Sequence, residues 1–315
     1  MLKLPSSVTL VEVAPRDGLQ SFPRWIDTDV KVQIVDCLSR AGFPVIEVTG
    51  FAHPRAIPNL RDAEEVCERI TRRAGLRYRA LVPNARGAQR AMACRLDEIV
   101  GLVVASPTYL QKNQNMSLER AIDEAIESFH IAQRHHVDFT VAIAMAFWCP
   151  YEGATPEANV LDIVGKLRNA GIRRFYLAGS AGMEDPAHVS RLFNRLFHAF
   201  PDVELGFHVH NLGGMATANI VAALDAGVTR LEGAICGIGG GIAMPVSLAS
   251  VGNYPSEDLV TMLSLMSIDV GLTAQAALQA AHEVAGLLDF TPRSYAGQGI
   301  TRAHVSERAE FHAAH

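Results

Sequence analysis

The chain has 315 residues, of which 49% are hydrophobic and 19% charged. That is the profile of a compact globule with a sizeable core, and it excludes a disordered chain. A formal net charge of −5 offers no broad attraction to phosphate backbones, which excludes a basic nucleic-acid binder; any anionic substrate must be met by a local patch. No run approaches the roughly 18 apolar residues of a spanning helix, and residues 1–7 lack a signal-peptide core. The expectation is a cytoplasmic protein without nucleic-acid or membrane partners. Five scattered cysteines with no C-x-x-C pair indicate neither a disulfide framework nor a structural zinc site.

The elements follow in order. Val8 to Val13 is a β-branched run that stops at the turn residues Ala14 to Gly18. A helix follows from Thr28 or Asp29 to Ser39, with Gly42 as its stop. Val45 to Phe51 reads as strand two, Asp62 to Arg72 as a helix, and Arg77 to Pro83 as strand three. A short helix over Gly87 to Cys94 leads to a long buried strand, Glu98 to Ser106, and Ser117 caps the next helix, which runs to Gln133. Strand five is Asp138 to Phe147. Thr155-Pro156-Glu157 opens a helix to Asn169, with proline at its first turn. Strand six (Arg174 to Ala178), a helix (Pro186 to Phe200), strand seven (Val203 to His210), a helix (Met215 to Asp225) and strand eight (Thr229 to Ile235) complete the alternation.

Eight strand-then-helix units are the signature of a parallel (β/α)8 TIM barrel, with a doubly wound open sheet as the alternative. Helices over Ser256 to Leu265 and Ala274 to Leu288 are extra C-terminal elements that cover the barrel or mediate oligomer contacts. The expected division is residues 1–290 as the barrel domain and 291–315 as a mobile tail.

In such a barrel the active site lies at the carboxyl ends of the strands. The parse places Arg16, Asp17, Glu47, Asn84, Ser106, Ser180, His208, His210 and Cys236 there, with the glycine run Gly237 to Gly241. His208 and His210 sit at i and i+2 of a strand and so point to one face. Together with Asp17 they form a candidate site for a divalent metal. Arg16-Asp17 also fits a local ion pair in a turn. Glu47, set among Val45, Ile46 and Val48, needs a partner if buried, and Arg16 is the nearest candidate. The glycine run fits a phosphate cradle or a flexible lid.

These residues resemble a known family. Val11-Glu12-Val13-Ala14-Pro15-Arg16-Asp17-Gly18-Leu19-Gln20 is similar to the opening motif of 3-hydroxy-3-methylglutaryl-CoA lyases, metal-dependent lyases built on a barrel. Val45 to Phe51, Val82-Pro83-Asn84, Lys112-Asn113 with Asn115, Cys149 to Gly153, His208-Val209-His210 and Gly252-Asn253 agree in turn, so the similarity runs from about Val8 to about Leu288. The resemblance implies Mg²⁺ or Mn²⁺ held by Asp17, His208, His210 and the side-chain oxygen of Asn253. It implies that Arg16 stabilises an enolate oxygen, that Glu47 orients Arg16, that Gln20 and Ser180 contact substrate with Arg16, and that His208 or Asp17 is the base. The substrate it implies is a 3-hydroxyacyl-CoA, cleaved to acetyl-CoA and a keto product, and the assembly it implies is a homodimer.

Three departures stand against the family pattern. The loop cysteine of the family falls on Gly241, with Cys236 five residues earlier as a stand-in only if the loop turns it inward. Gly-Asp-Thr after strand six is replaced by Ala178-Gly179-Ser180, and Asn211 stands where aspartate is usual. The expectation is therefore a carbon–carbon lyase with a different proton donor or acyl substrate. The alternatives are an aldolase or Claisen-type synthase acting on a keto acid, and a catalytically silent metal-binding barrel.

Overall fold

The computed structural model describes residues 2–240 and 252–313. Eight parallel strands close into a barrel: β1 (Thr9–Glu12), β2 (Val45–Gly50), β3 (Arg77–Val82), β4 (Glu98–Val104), β5 (Asp138–Ala144), β6 (Arg174–Gly179), β7 (Glu204–Val209) and β8 (Arg230–Gly233). Each pairs with its neighbours in sequence, and β1 closes the ring by pairing with β8, Thr9 opposite Arg230. The barrel read from the sequence is present, and an open sheet is excluded by that closure.

The surrounding helices are α1 (Thr28–Ala41), α2 (Ala63–Arg69), α3 (Ala85–Ala91), α4 (Pro107–Gln114), α5 (Leu118–Arg134), α6 (Glu157–Asn169), α7 (Pro186–Ala199), α8 (Ala216–Asp225), α9 (Ser256–Leu265), α10 (Ala274–Leu288) and α11 (Arg302–Ala313). Helix α4 was not expected, because Tyr109-Leu110-Gln111-Lys112-Asn113-Gln114 shows too few apolar positions for a stripe. Local chemistry builds it instead: Pro107 fits the first turn and Ser106 Oγ accepts from the Tyr109 N–H at 3.2 Å. Strand five was expected to reach Phe147 but stops at Ala144, where Met145 turns to φ 54° before a two-residue hairpin, Trp148–Cys149 with Gly153–Ala154. Beyond α10 the Tyr295 and Ala296 N–H groups donate to the Asp258 carboxylate at 2.9 and 2.8 Å. The chain then enters α11, a helix absent from the sequence reading of residues 291–315. No helix among the described residues is long and apolar enough to cross a membrane.

Strand alternation sorts the side chains. Leu205, Phe207 and Val209 of β7, with Phe175 and Leu177 of β6, pack outward against the helices in the main apolar core. Inward, Leu81, Val100, Ala142, Tyr176 and Ala178 form a small separate cluster. Around it the barrel interior is charged. Arg79 is fully buried, its Nη2 2.6 Å from Glu232 Oε1 and 2.5 Å from Glu47 Oε2, while Arg230 Nη2 donates to Glu98 at 2.9 Å. Charges so buried persist only when paired, so this column specifies the interior of the barrel. It ends directly beneath the metal candidates.

Candidate active site

The loop after β1 winds into a tight π-turn, Ala14–Gly18, that buries both Arg16 and Asp17 at the carboxyl rim. Arg16 is held from two sides: its Nε donates to Glu47 Oε1 and its Nη1 to Asp17 Oδ1. The Arg16–Glu47 pairing expected from the sequence is therefore present, and so is the local Arg16–Asp17 ion pair. Gln20 Nε2 donates to Asp17 Oδ1 at 2.7 Å, and Asn253 Nδ2 donates to Asp17 Oδ2 at 2.7 Å. Burial alone would raise the Asp17 carboxyl; Arg16, His208, His210 and the Asn253 amide overcome it and hold it below the ordinary range.

His208 and His210 project from β7 to the same side, their Nε2 atoms 3.0 Å apart. His208 Nδ1 lies 3.1 Å from Glu232 Oε2, which fixes the proton on Nδ1 and leaves the Nε2 lone pair facing Asp17 and His210. One atom each from Asp17, His208 and His210 all lie within 4.8 Å of one another, and all three residues are buried. Asn253 joins them from across a backbone bridge to His210. Its amide nitrogen serves Asp17 and the Ile238 carbonyl, and its Oδ1 is buried with no partner among the described residues. An orphaned amide oxygen beside a carboxylate and two imidazole nitrogens is the donor set of a hard divalent cation.

The glycine run serves this cluster by closeness. Gly239 has φ +130°, and a Cβ there would stand 2.3 Å from Asn253 Nδ2 and 3.3 Å from Asp17 Oδ2. Only glycine lets the backbone pass so near the donor set. Gly241 lies outside the described residues.

A cavity of about 370 Å³ opens over the cluster, lined by Arg16, Asp17, Gln20, Ser180, His208 and His210 on one side. Leu81, Leu102, Val104, Ala142 and Ala178 form an apolar floor, and Tyr109, Asn113 and Gln114 of α4 close the far wall. Of the sequence candidates, Ser180 lines the cavity while its Oγ accepts from the Met145 N–H at 3.0 Å. Asn84 lines it too and caps α3 through Gly87 N–H. Ser106 is the cap of α4 and carries no part of the cluster. Cys236 does not turn inward: it is fully buried, its thiol donates to the Ala281 carbonyl in α10, and burial raises it far above an ordinary thiol. The stand-in role for Cys236 is therefore withdrawn.

Sequence reasoning missed Glu232 and Arg79, which orient His208 and Glu47. Their signal was present: charged residues at the inward positions of otherwise apolar strands, Tyr78-Arg79-Ala80 and Leu231-Glu232-Gly233. It also missed Glu184, whose carboxylate is buried with no side-chain partner among the described residues and pushed up to about 7 by desolvation. That carboxylate occupies the space a side chain at Gly179 would take, 2.1 Å from an added Cβ.

The fold recurs in known proteins. The hydroxymethylglutaryl-CoA lyase YngG of Bacillus subtilis is 37% identical over 277 residues, 88% of this chain and 92% of that protein. The human mitochondrial hydroxymethylglutaryl-CoA lyase is 32% identical over 299 residues, 95% of this chain and 91% of its own. The solved structure of an HMG-CoA lyase from A. baumannii, in complex with coenzyme A and 3-methylmalate, superimposes with a TM-score of 0.88 at 33% identity, covering 96% of this chain and 98% of that one. These relatives are carbon–carbon lyases. With residues 7–284 matching the HMGL-like family model, the chain belongs to the HMGL-like family.

Proposed function

We propose that the protein is a Mg²⁺- or Mn²⁺-dependent lyase that cleaves 3-hydroxy-3-methylglutaryl-CoA or a closely related 3-hydroxyacyl-CoA to acetyl-CoA and a keto product. The observation that carries the reading is the convergence of Asp17, His208, His210 and the orphaned Asn253 Oδ1 beside Arg16 at one cavity. Asp17, His208, His210 and Asn253 would hold the cation, which when bound supplies a Lewis acid that makes a tertiary hydroxyl easier to deprotonate.

The chain's own groups do the rest. Arg16, clamped by Glu47 and Asp17, presents its guanidinium to the thioester oxygen, where negative charge develops as the carbon–carbon bond breaks. Gln20 and Ser180 orient the substrate beside it. With Nδ1 committed to Glu232, His208 can take a proton only at Nε2, the atom it would also offer a metal. Either His208 at Nε2 or the Asp17 carboxylate is the base. The bond pair passes into the enolate, and the proton taken from the hydroxyl is balanced by one delivered to the enolate carbon.

We assign catalysis to residues 1–290, and a homodimer and a cytoplasmic location to the whole; size-exclusion chromatography with light scattering tests the dimer. The activity is tested by a coupled assay for acetyl-CoA release from 3-hydroxy-3-methylglutaryl-CoA, on the wild type and on Gly241→Cys. The expected result is metal-stimulated release that EDTA abolishes and Mg²⁺ or Mn²⁺ restores. No CoA product from a panel of 3-hydroxyacyl-CoAs, with metal present and in either protein, would overturn the reading.

A further inference from the structure

The proton delivered to the enolate carbon has no assigned donor. Cys236 points away into α10, and no cysteine lines the reactive cavity among the described residues. Two phenols line it, Tyr109 and Tyr176. The Tyr109 hydroxyl is engaged by the Asn113 side chain. Tyr176 is different: the residue is 2% exposed, and its hydroxyl has no hydrogen-bond partner among the described residues. A buried tyrosine hydroxyl ordinarily finds a partner within the protein. One that faces a cavity instead is free for a ligand.

The barrel makes room for this ring. Tyr176 lies on the inward face of β6, in register with Ala142 of β5 on one side and Gly206 of β7 on the other. Neither neighbour carries a side chain long enough to cover the ring, and a Cβ at Gly206 would stand 3.3 Å from the Tyr176 Cβ. The ring centroid is 5.9 Å from that of His208, and the Arg79 guanidinium carbon lies 5.4 Å from it. The charges of Glu47 and Arg16 also act on the phenol. Tyr176 therefore shares the cavity with the guanidinium assigned to the thioester oxygen, and the enolate carbon is one bond from the carbon that bears that oxygen.

We propose that Tyr176 is the catalytic acid of the reaction. Its O–H bond breaks as a C–H bond forms at the enolate carbon, and the new bond takes its electron pair from the enolate. The phenolate regains the proton that the base took from the substrate hydroxyl, so no proton is gained or lost overall. The inference rests on the reading that the protein cleaves a carbon–carbon bond to leave an acetyl-CoA enolate.

Tyr176→Phe tests it, because phenylalanine keeps the ring and removes only an unpartnered hydroxyl; its circular dichroism should match that of the wild type. Acetyl-CoA release from 3-hydroxy-3-methylglutaryl-CoA with Mg²⁺ should lose about 100-fold or more in kcat, with KM little changed. The second readout is exchange of the methyl hydrogens of acetyl-CoA with D₂O in the presence of Mg²⁺, followed by NMR. That exchange is the proton-delivery step run backward through the same group, so the variant should lose it too. An unchanged kcat, a loss carried by KM, or a loss of release while exchange persists overturns the proposal. If the wild type cleaves no 3-hydroxyacyl-CoA, the proposed activity fails and Tyr176 is judged by the exchange alone. Exchange present in the wild type and lost in the variant then supports the assignment, and exchange that is absent or equal in the two proteins overturns it.

Discussion

Glu184→Gln isolates what a buried, unpartnered carboxylate costs this fold. Glu184 sits in the loop after β6 with 2% of its surface exposed and no side-chain partner for its carboxylate among the described residues; only the backbone N–H groups of Met183 and Glu184 itself act against its desolvation. Burial pushes it from the ordinary 4.5 up to about 7. Between those two values the folded chain holds a proton that the unfolded chain has released, so stability falls as pH rises through that window. The difference corresponds to about 3 kcal/mol, expressed in full above pH 7 and absent below pH 4.5. Glutamine keeps the shape and cannot ionise. Urea unfolding of wild type and variant from pH 5 to pH 8 should give curves that nearly coincide at the acid end. They should then diverge until the variant is more stable by about 3 kcal/mol. Parallel curves would show that the carboxylate is not desolvated, and a variant less stable at pH 8 would reveal a counter-ion. The neighbouring glycine provides a cross-check. Gly179→Ala, whose Cβ would meet Glu184 Oε1 at 2.1 Å, should cost about 1–3 kcal/mol alone and less when combined with Glu184→Ala.

Glu232→Gln removes the acceptor that fixes the His208 tautomer and should weaken Mn²⁺ binding by about 10- to 100-fold in calorimetry. Gly239→Ala should abolish tight Mn²⁺ binding, because its Cβ would lie 2.3 Å from Asn253 Nδ2 at a φ of +130°; an unchanged affinity would show that the loop relaxes freely. Arg79→Met strands Glu47 and Glu232 in the barrel without their shared cation, and chemical denaturation should register a loss of about 3–5 kcal/mol. Asn253→Ala deletes both the orphaned oxygen and the amide that binds Asp17. Mn²⁺ affinity should fall while the folded secondary structure, followed by circular dichroism, stays intact.

The barrel was legible in the sequence because the alternation of strand and helix is written in hydrophobic period and in cap residues such as Ser117 and Gly42. Asp17, His208 and His210 were legible because i and i+2 geometry and strand-end placement are local facts. Their convergence in one buried cluster follows once the barrel closes. Asn253 was reached only through resemblance, because an asparagine in a loop after a glycine-rich stretch carries no local signal for ligation. Its role depends on a long-range bridge to His210. Helix α4 was missed for the complementary reason: capping by Ser106 and Pro107 outweighs a weak apolar stripe. Cys236 was misplaced as a candidate because the sequence locates it at the strand end but not its thiol, which the φ of 62° and the Ala281 carbonyl direct into the C-terminal helices.

A barrel interior of arginines and glutamates is not the most stable solution, since apolar residues of equal volume would match or exceed its contribution. Its value lies in direction. Arg79 links Glu47, which holds Arg16, to Glu232, which holds His208. The Arg16 guanidinium and the His208 imidazole are thus oriented by a single buried cation. A change at Arg79 therefore reaches both halves of the site at once, whereas a change at Glu47 or Glu232 reaches one. Double-mutant cycles should show Glu47→Gln and Glu232→Gln nearly additive for metal affinity, where only Glu232 acts. For stability they should be strongly coupled, because each leaves Arg79 the other partner. Additivity in stability as well would mean that Arg79 is satisfied by Glu98, whose Oε1 lies 3.7 Å from Arg79 Nη1, and that the two halves of the site are built independently.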